Sequence, residues 1–176
     1  PHMQVVLTAH PGNAVARQLE AEVRFSKRNG GCYAESLLQA ERLRGERFVA
    51  DTGAVAWLVP FVPVGLFGDC MALFPGRATL ADLSDAEIGD FARGLARVLR
   101  AFAGRGLWSF NLTFFPARFG ESDGRHWLSA RLLPRLYLNS KFHVTDASYM
   151  QLLLEESFAM TYPEQTAQVL REAFSD

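Results

Sequence analysis

One amphipathic helix near the middle of the chain separates two groups of β-prone segments, and this arrangement constrains the fold more than any other feature. Ser84-Asp85-Ala86-Glu87 fits a capping box, in which the Ser84 hydroxyl accepts from a free backbone N–H and Glu87 reaches back to the start of the helix. Ile88, Phe91, Leu95, Val98, Leu99 and Phe102 then recur at helical spacing, and Gly104-Arg105-Gly106 stops the run. Ahead of this helix, Glu46–Ala50 and Val55–Pro60 read as two strands joined at Asp51-Thr52-Gly53, a hairpin signal. Asp69–Phe74 reads as a third strand, closed by Pro75-Gly76. Behind the helix, Leu107–Phe115 reads as a fourth strand and Trp127–Leu133 as a fifth. Strands linked by hairpins and by one long helix predict an α+β domain with a largely antiparallel sheet.

The flanks are mostly helical. Gln4–Thr8 is a short β-prone run, and Asn13 is placed to cap a helix over about Ala14–Lys27 that ends at Asn29-Gly30-Gly31. A second helix is predicted over Tyr33–Arg44, with Leu37, Leu38 and Leu43 as its apolar side. The end of the chain reads as two helices, about Asp146–Phe158 and Pro163–Phe174, the latter opened by Pro163 at a first helical position with Glu164 beside it. Pro1-His2-Met3 reads as a cloning scar. That leaves 4–176 as one domain, expected to be part of a longer protein.

Composition narrows the function classes. With 176 residues, 49% of them apolar, the chain is long enough for one well-buried core. Its 18 Lys and Arg against 19 Asp and Glu, net −1, argue against a general nucleic-acid partner, although a local basic patch is compatible with them. Val55–Phe67 is apolar but broken by Pro60, Pro63 and Gly65, and no run approaches the roughly 20 residues of a membrane helix, so no membrane partner is expected. Cys32 and Cys70 are too few for a disulfide framework, and nothing resembles a secretory signal. The expected compartment is therefore the reducing cytoplasm, with both thiols buried and structural.

Several short motifs follow one another in a recognisable order. They are Gly31-Cys32-Tyr33-Ala34-Glu35 with Glu41 downstream; Glu46-Arg47-Phe48-Val49 followed by Trp57-Leu58-Val59-Pro60-Phe61; and Ala81-Asp82-Leu83-Ser84-Asp85-Ala86-Glu87. Ser109-Phe110-Asn111 with Pro116, His126-Trp127 with Leu133-Pro134-Arg135, and Pro163-Glu164 with Ala167 and Leu170-Arg171 complete the series. In this order the chain resembles, from roughly residue 14 to its end, the C-terminal half of galactose-1-phosphate uridylyltransferase and its relatives in the histidine-triad superfamily. The resemblance implies a histidine-triad-like domain with a five-stranded sheet packed with helices. It also implies a nucleotidyltransferase parent, a nucleotide or sugar-phosphate ligand, and either homodimerisation or a missing N-terminal domain.

The departures from the family pattern bear on chemistry. The family's nucleophile lies in a His-Pro-His motif that the resemblance places upstream of this chain. His10-Pro11-Gly12 has Gly in the third place and lacks the family's following Gln, so His10 reads as a loop residue and no catalytic residue is assigned. The family's two metal-binding histidines would fall near Ser129 and Arg131, and neither a hydroxyl nor a guanidinium makes an ordinary zinc or iron site. The family's Cys-x-x-Cys entry has become Cys32-x-x-Glu35. No metal or other cofactor is expected.

Residues suited to binding remain. Alternation on the fifth strand puts Trp127, Ser129, Arg131 and Leu133 on one face and His126, Leu128, Ala130 and Leu132 on the other. Arg131 would be costly to bury alone, so it meets solvent, a carboxylate or an anionic ligand. A planar guanidinium suits phosphate; a surface ion pair is the plain alternative. Asn111 shares its strand face with Ser109 and Thr113, and that polar face either lines a pocket or faces water. Lys141-Phe142-x-Val144 resembles a segment that contacts the hexose phosphate in the transferases, which implies a charge at Lys141 and a packing wall at Phe142. His126 is read as a residue that caps or hydrogen-bonds locally. Arg131, Lys141, Phe142, Asn111, Ser129 and His126 are thus the candidate ligand residues. The competing expectation is a non-catalytic binding or assembly module that dimerises, consistent with its 14 Phe residues. A complete small phosphorylase-like hydrolase would need a nucleophile that the sequence does not offer.

Overall fold

The computed structural model describes residues 12–118, 120, 124–135 and 159–175. The elements run in the order α1 (Asn13–Asn29), α2 (Tyr33–Arg44), β1 (Phe48–Thr52), β2 (Val55–Leu58), β3 (Cys70–Leu73), α3 (Asp85–Ala103), β4 (Ser109–Phe115), β5 (Ser129–Arg135) and α4 (Pro163–Phe174), with a 3-10 turn at Leu80–Asp82. The five strands form one antiparallel sheet in the order β1-β2-β3-β5-β4. The fold is the α+β arrangement expected. Gln4–Thr8, His10 and the helix predicted over Asp146–Phe158 lie outside the described residues.

Each sheet face carries its own core. On one side α3 and α4 pack Val98, Phe102, Ala167 and Leu170 onto Val55, Trp57, Ala72, Phe74, Leu128, Ala130 and Leu132. On the other, the start of α2 brings Cys32, Ala34 and Leu38 against Ala56, Leu58 and Leu73, with Phe48, Met71 and Trp127 at the margin. Strands buried on both faces read as continuous apolar runs rather than alternating ones, and all four residues of β2 are buried. Trp57 stacks on Phe91 of α3 with ring centroids 5.5 Å apart, and its indole N–H donates to Thr52 Oγ1 at 2.8 Å. Gly94 makes this contact possible: a Cβ there would overlap the Trp57 indole.

Three local readings need correction. Gly12, not Asn13, stands at the N-cap of α1, no side chain caps it, and Asn13 is the first helical residue. In α2, Leu43 is 89% exposed while Ala34, Leu38 and Glu41 are buried. Their i, i+4, i+7 spacing puts Glu41 in the inward stripe, where its Oε1 accepts from Arg47 Nη2 at 2.8 Å and Nε at 2.9 Å. The same guanidinium donates to Glu164 of α4 at 3.0 Å and lies 5.0 Å from the Phe61 ring centroid. In the hairpin, Thr52 pairs with Val55, so the turn is Gly53-Ala54, with Gly53 at φ 58° and the Ala54 amide donating to Asp90 of α3 at 2.9 Å.

The capping box at α3 forms as expected. The Glu87 amide donates to Ser84 Oγ at 3.3 Å, the Ser84 amide donates to Glu87 Oε2 at 2.8 Å, and Arg77 Nε donates to Glu87 Oε1 at 2.7 Å. The Ser84 amide, the Ser84 hydroxyl and the Arg77 guanidinium together pull the Glu87 carboxyl from 4.5 down to about 2. A carboxyl with a depressed folded value adds stability that is present above 4.5 and lost as pH falls toward 2. Glu87→Gln is therefore expected to flatten the acid limb of stability against pH between those limits, read as urea midpoints of the two proteins. An acid limb unchanged from that of the parent would refute the assignment.

Candidate functional site

The open part of the sheet lies at β4 and β5. Antiparallel partners share a face, and Ser129 pairs with Leu73 of β3 and Phe115 of β4, Arg131 with Met71 and Thr113, and Leu133 with Asn111. The face that α2 covers over β2 and β3 therefore continues into a row formed by Arg131, Thr113, Leu133 and Asn111. Asn111 and Thr113 are exposed, whereas Ser129 is buried between Leu73 and Phe115. Among the described strands β4 is an edge.

Arg131 resolves the choice left open by its sequence: the partner is a carboxylate. Its Nε donates to Asp69 Oδ2, and its Nη2 donates to the Val62 carbonyl at 2.8 Å. Asp69 immediately precedes β3 and is 0% exposed. Burial pushes its carboxyl up, and the Arg131 guanidinium and the Val64 amide offset only part of that rise. The two bonds engage two of the five N–H groups of the guanidinium. Arg131 is thus a rigidly held donor whose charge is balanced by a buried acid. Sequence reasoning missed Asp69. Its signal was an acid between Gly68 and Cys70 in an otherwise apolar stretch, a position that demands a cation.

His126 is not a local cap. It is buried, its Nδ1 meets Glu22 Oε2 of α1, and its Nε2 lies 3.0 Å from the Phe115 carbonyl oxygen at the end of β4. A small cavity of about 40 Å³ adjoins it, lined by Leu19, Glu22, Val23, Ala117 and Arg125. That cavity and the neighbouring depression at Arg77 and Asp82 do not touch Arg131 or Asn111. Lys141 and Phe142 lie outside the described residues.

Cys32 and Cys70 are both free and buried, and burial pushes both thiols up. Neither is poised as a thiolate nucleophile. Among the described residues no three His, Cys, Asp or Glu side chains converge to hold a metal ion, and no helix is long and apolar enough to cross a membrane.

Two solved uridylyltransferase structures, one of them a mutant, superpose on this chain with TM-scores of 0.78 and 0.77 at 19% identity. They align over 92% of this chain and over 51% and 53% of their own lengths. The chain has the fold of half a uridylyltransferase. An uncharacterized protein of Archaeoglobus fulgidus is 27% identical over all 176 residues, which correspond to 52% of that protein. The chain thus spans about half the length of the relatives it matches. No family model matches the sequence. The uridylyltransferase-like half places Arg131 and Asn111 on adjacent strands and sets His126 apart from them, in the crevice between α1 and the end of β4.

Proposed function

We propose that this chain is a nucleotidyltransferase-like domain that binds a nucleotide or sugar phosphate on the open β4–β5 face and lacks the histidine nucleophile of its resemblance family. The supporting observation is the row of Asn111 and Thr113, exposed beside a guanidinium that Asp69 holds in place. Neutral donors next to an oriented guanidinium suit phosphate oxygens and sugar hydroxyls. Because Asp69 balances its charge, Arg131 contributes directed hydrogen bonds more than net attraction. Lys141, by the resemblance, would supply the uncompensated charge, with Phe142 beside it.

Titration calorimetry with UMP, UDP-sugars, AMP and hexose phosphates tests this reading. Asn111→Ala and Thr113→Val disturb no described hydrogen bond, and each is expected to weaken binding by about two- to tenfold, the worth of one neutral hydrogen bond. Lys141→Ala should weaken it further for phosphorylated ligands. Silence of the parent protein across the panel would reject a retained pocket.

A second reading, a non-catalytic assembly module, draws on a different observation. Phe61, Val62, Met160 and Tyr162 are between 65% and 71% exposed, on two segments joined by the Met160 amide donating to the Leu66 carbonyl at 2.7 Å. Exposed apolar side chains of this kind mark association surfaces. A concentration-dependent dimer that Met160→Glu dissolves, without effect on ligand titration, would favour it.

A further inference from the structure

Both ring nitrogens of His126 face acceptors. The Phe115 carbonyl oxygen only accepts, so Nε2 must carry a hydrogen. Glu22 Oε1 already accepts from Gln18 Nε2 at 2.9 Å, which leaves Oε2 to meet Nδ1. Both side chains are 8% exposed. With no proton between Oε2 and Nδ1, two lone pairs would oppose each other in a largely buried setting, a costly arrangement. One proton must lie there, on the ring or on the carboxyl.

We propose that His126 and Glu22 form a proton-dependent latch that fastens α1 to the ends of β4 and β5 and opens as pH rises. The latch spans 104 positions in sequence and joins the helix at the start of the described chain to the strand that bears Asn111 and Thr113. It operates on α1 whether or not that face takes a ligand.

The described charged groups around it hold their state near neutrality. Arg125 lines the same cavity and Arg77 the adjoining depression, and guanidinium groups stay protonated. Asp82, also at that depression, is held below the ordinary carboxylate range by the amide and hydroxyl of Thr79. The Cys32 thiol of the α2 N-cap, which feels the Glu22 charge, is pushed up by burial and stays neutral. The shared proton is the one of this group that leaves between pH 6 and 8. The folded protein holds it more tightly than an unfolded chain, in which histidine releases its proton near about pH 6.5. The stability it confers is therefore complete at low pH and lost as pH rises through the folded release point.

Urea unfolding from pH 6 to 8 reads the latch, below the range in which the Cys32 and Cys70 thiols, exposed on unfolding, begin to ionise. The unfolding constant of the parent protein is expected to rise by up to about tenfold per pH unit across the release, the slope of one linked proton. In Glu22→Gln the carboxamide donates to a bare Nδ1, so the latch closes without the extra proton and the slope should shrink. Histidine ¹⁵N NMR follows the same event in the parent protein, independently of how well the variant folds. His126 should titrate above free histidine, in step with shifts at α1. Titration of His126 at or below the free value, or an undiminished slope in Glu22→Gln, would overturn the proposal.

Discussion

Replacing Arg131 by Ala is expected to lower the unfolding free energy by about 3–5 kcal/mol, the usual cost of removing one partner from a buried ion pair. The reason is Asp69. Its carboxyl is wholly buried, and Arg131 supplies the only counter-charge described for it. The loss should depend on pH in a definite direction. Without the guanidinium the folded carboxyl binds its proton more tightly still, above the unfolded value of about 3.9. Neutralising it by protonation then relieves the penalty at low pH, and the penalty grows as pH rises through the folded value. Urea denaturation at pH 5 and pH 8 should show a smaller deficit at pH 5. Asp69→Asn in the same chain should recover part of the deficit, since an amide is far cheaper to bury than a carboxylate. If the double variant is as unstable as the sum of the two single ones, Asp69 and Arg131 do not act as a pair. Loss of ligand binding in Arg131→Ala alone would say little about contact with ligand, because the strand that carries the site would itself be weakened.

Gly94→Ala should destabilise the protein, although Ala favours an isolated helix over Gly by about 0.5–1 kcal/mol. The added methyl would occupy the space of the Trp57 indole, which has little room to retreat. Its ring is fully buried, stacked on Phe91 and hydrogen-bonded to Thr52. Overpacking of this sort costs about 1–3 kcal/mol, so the clash outweighs the helical gain. Thermal denaturation should show a lower Tm, and the Trp57→Phe background should soften the effect by opening space. A Tm at or above that of the parent would mean that α3 shifts freely on the sheet.

Much of the fold was legible because it is local. Ser84 and Glu87 lie three residues apart and meet as a capping box, Pro163 opens a helix, and the parity of β5 follows from alternation alone. Strand ends moved by a residue or two, as at Thr52, because pairing with Val55 rather than propensity decides where the hairpin turns. The site was legible only as residue types. Arg131 stood out because a guanidinium in an apolar strand needs a partner, yet Asp69 lies 62 positions away and Glu22 lies 104 from His126. Such pairs are set by sheet order and helix packing, which no local pattern encodes. Leu43 misled for the same reason: its type suits a core, but Glu41 takes the inward position to meet Arg47.

That guanidinium also governs where the chain tolerates change in length. Arg47 binds Glu41 from α2 and Glu164 from α4, while Arg171 of α4 donates to the carbonyls of Gly45 and Phe48 on either side of it. The link from α2 to β1 and the entry to α4 are therefore fixed in register against each other, so one cannot lengthen without displacing the other. Added residues belong instead at exposed turns outside this knot, such as Gly104–Gly106, where the backbone already faces water. Variation in length among related chains should concentrate there, and the α2–β1 corner should keep its spacing even where its residues differ.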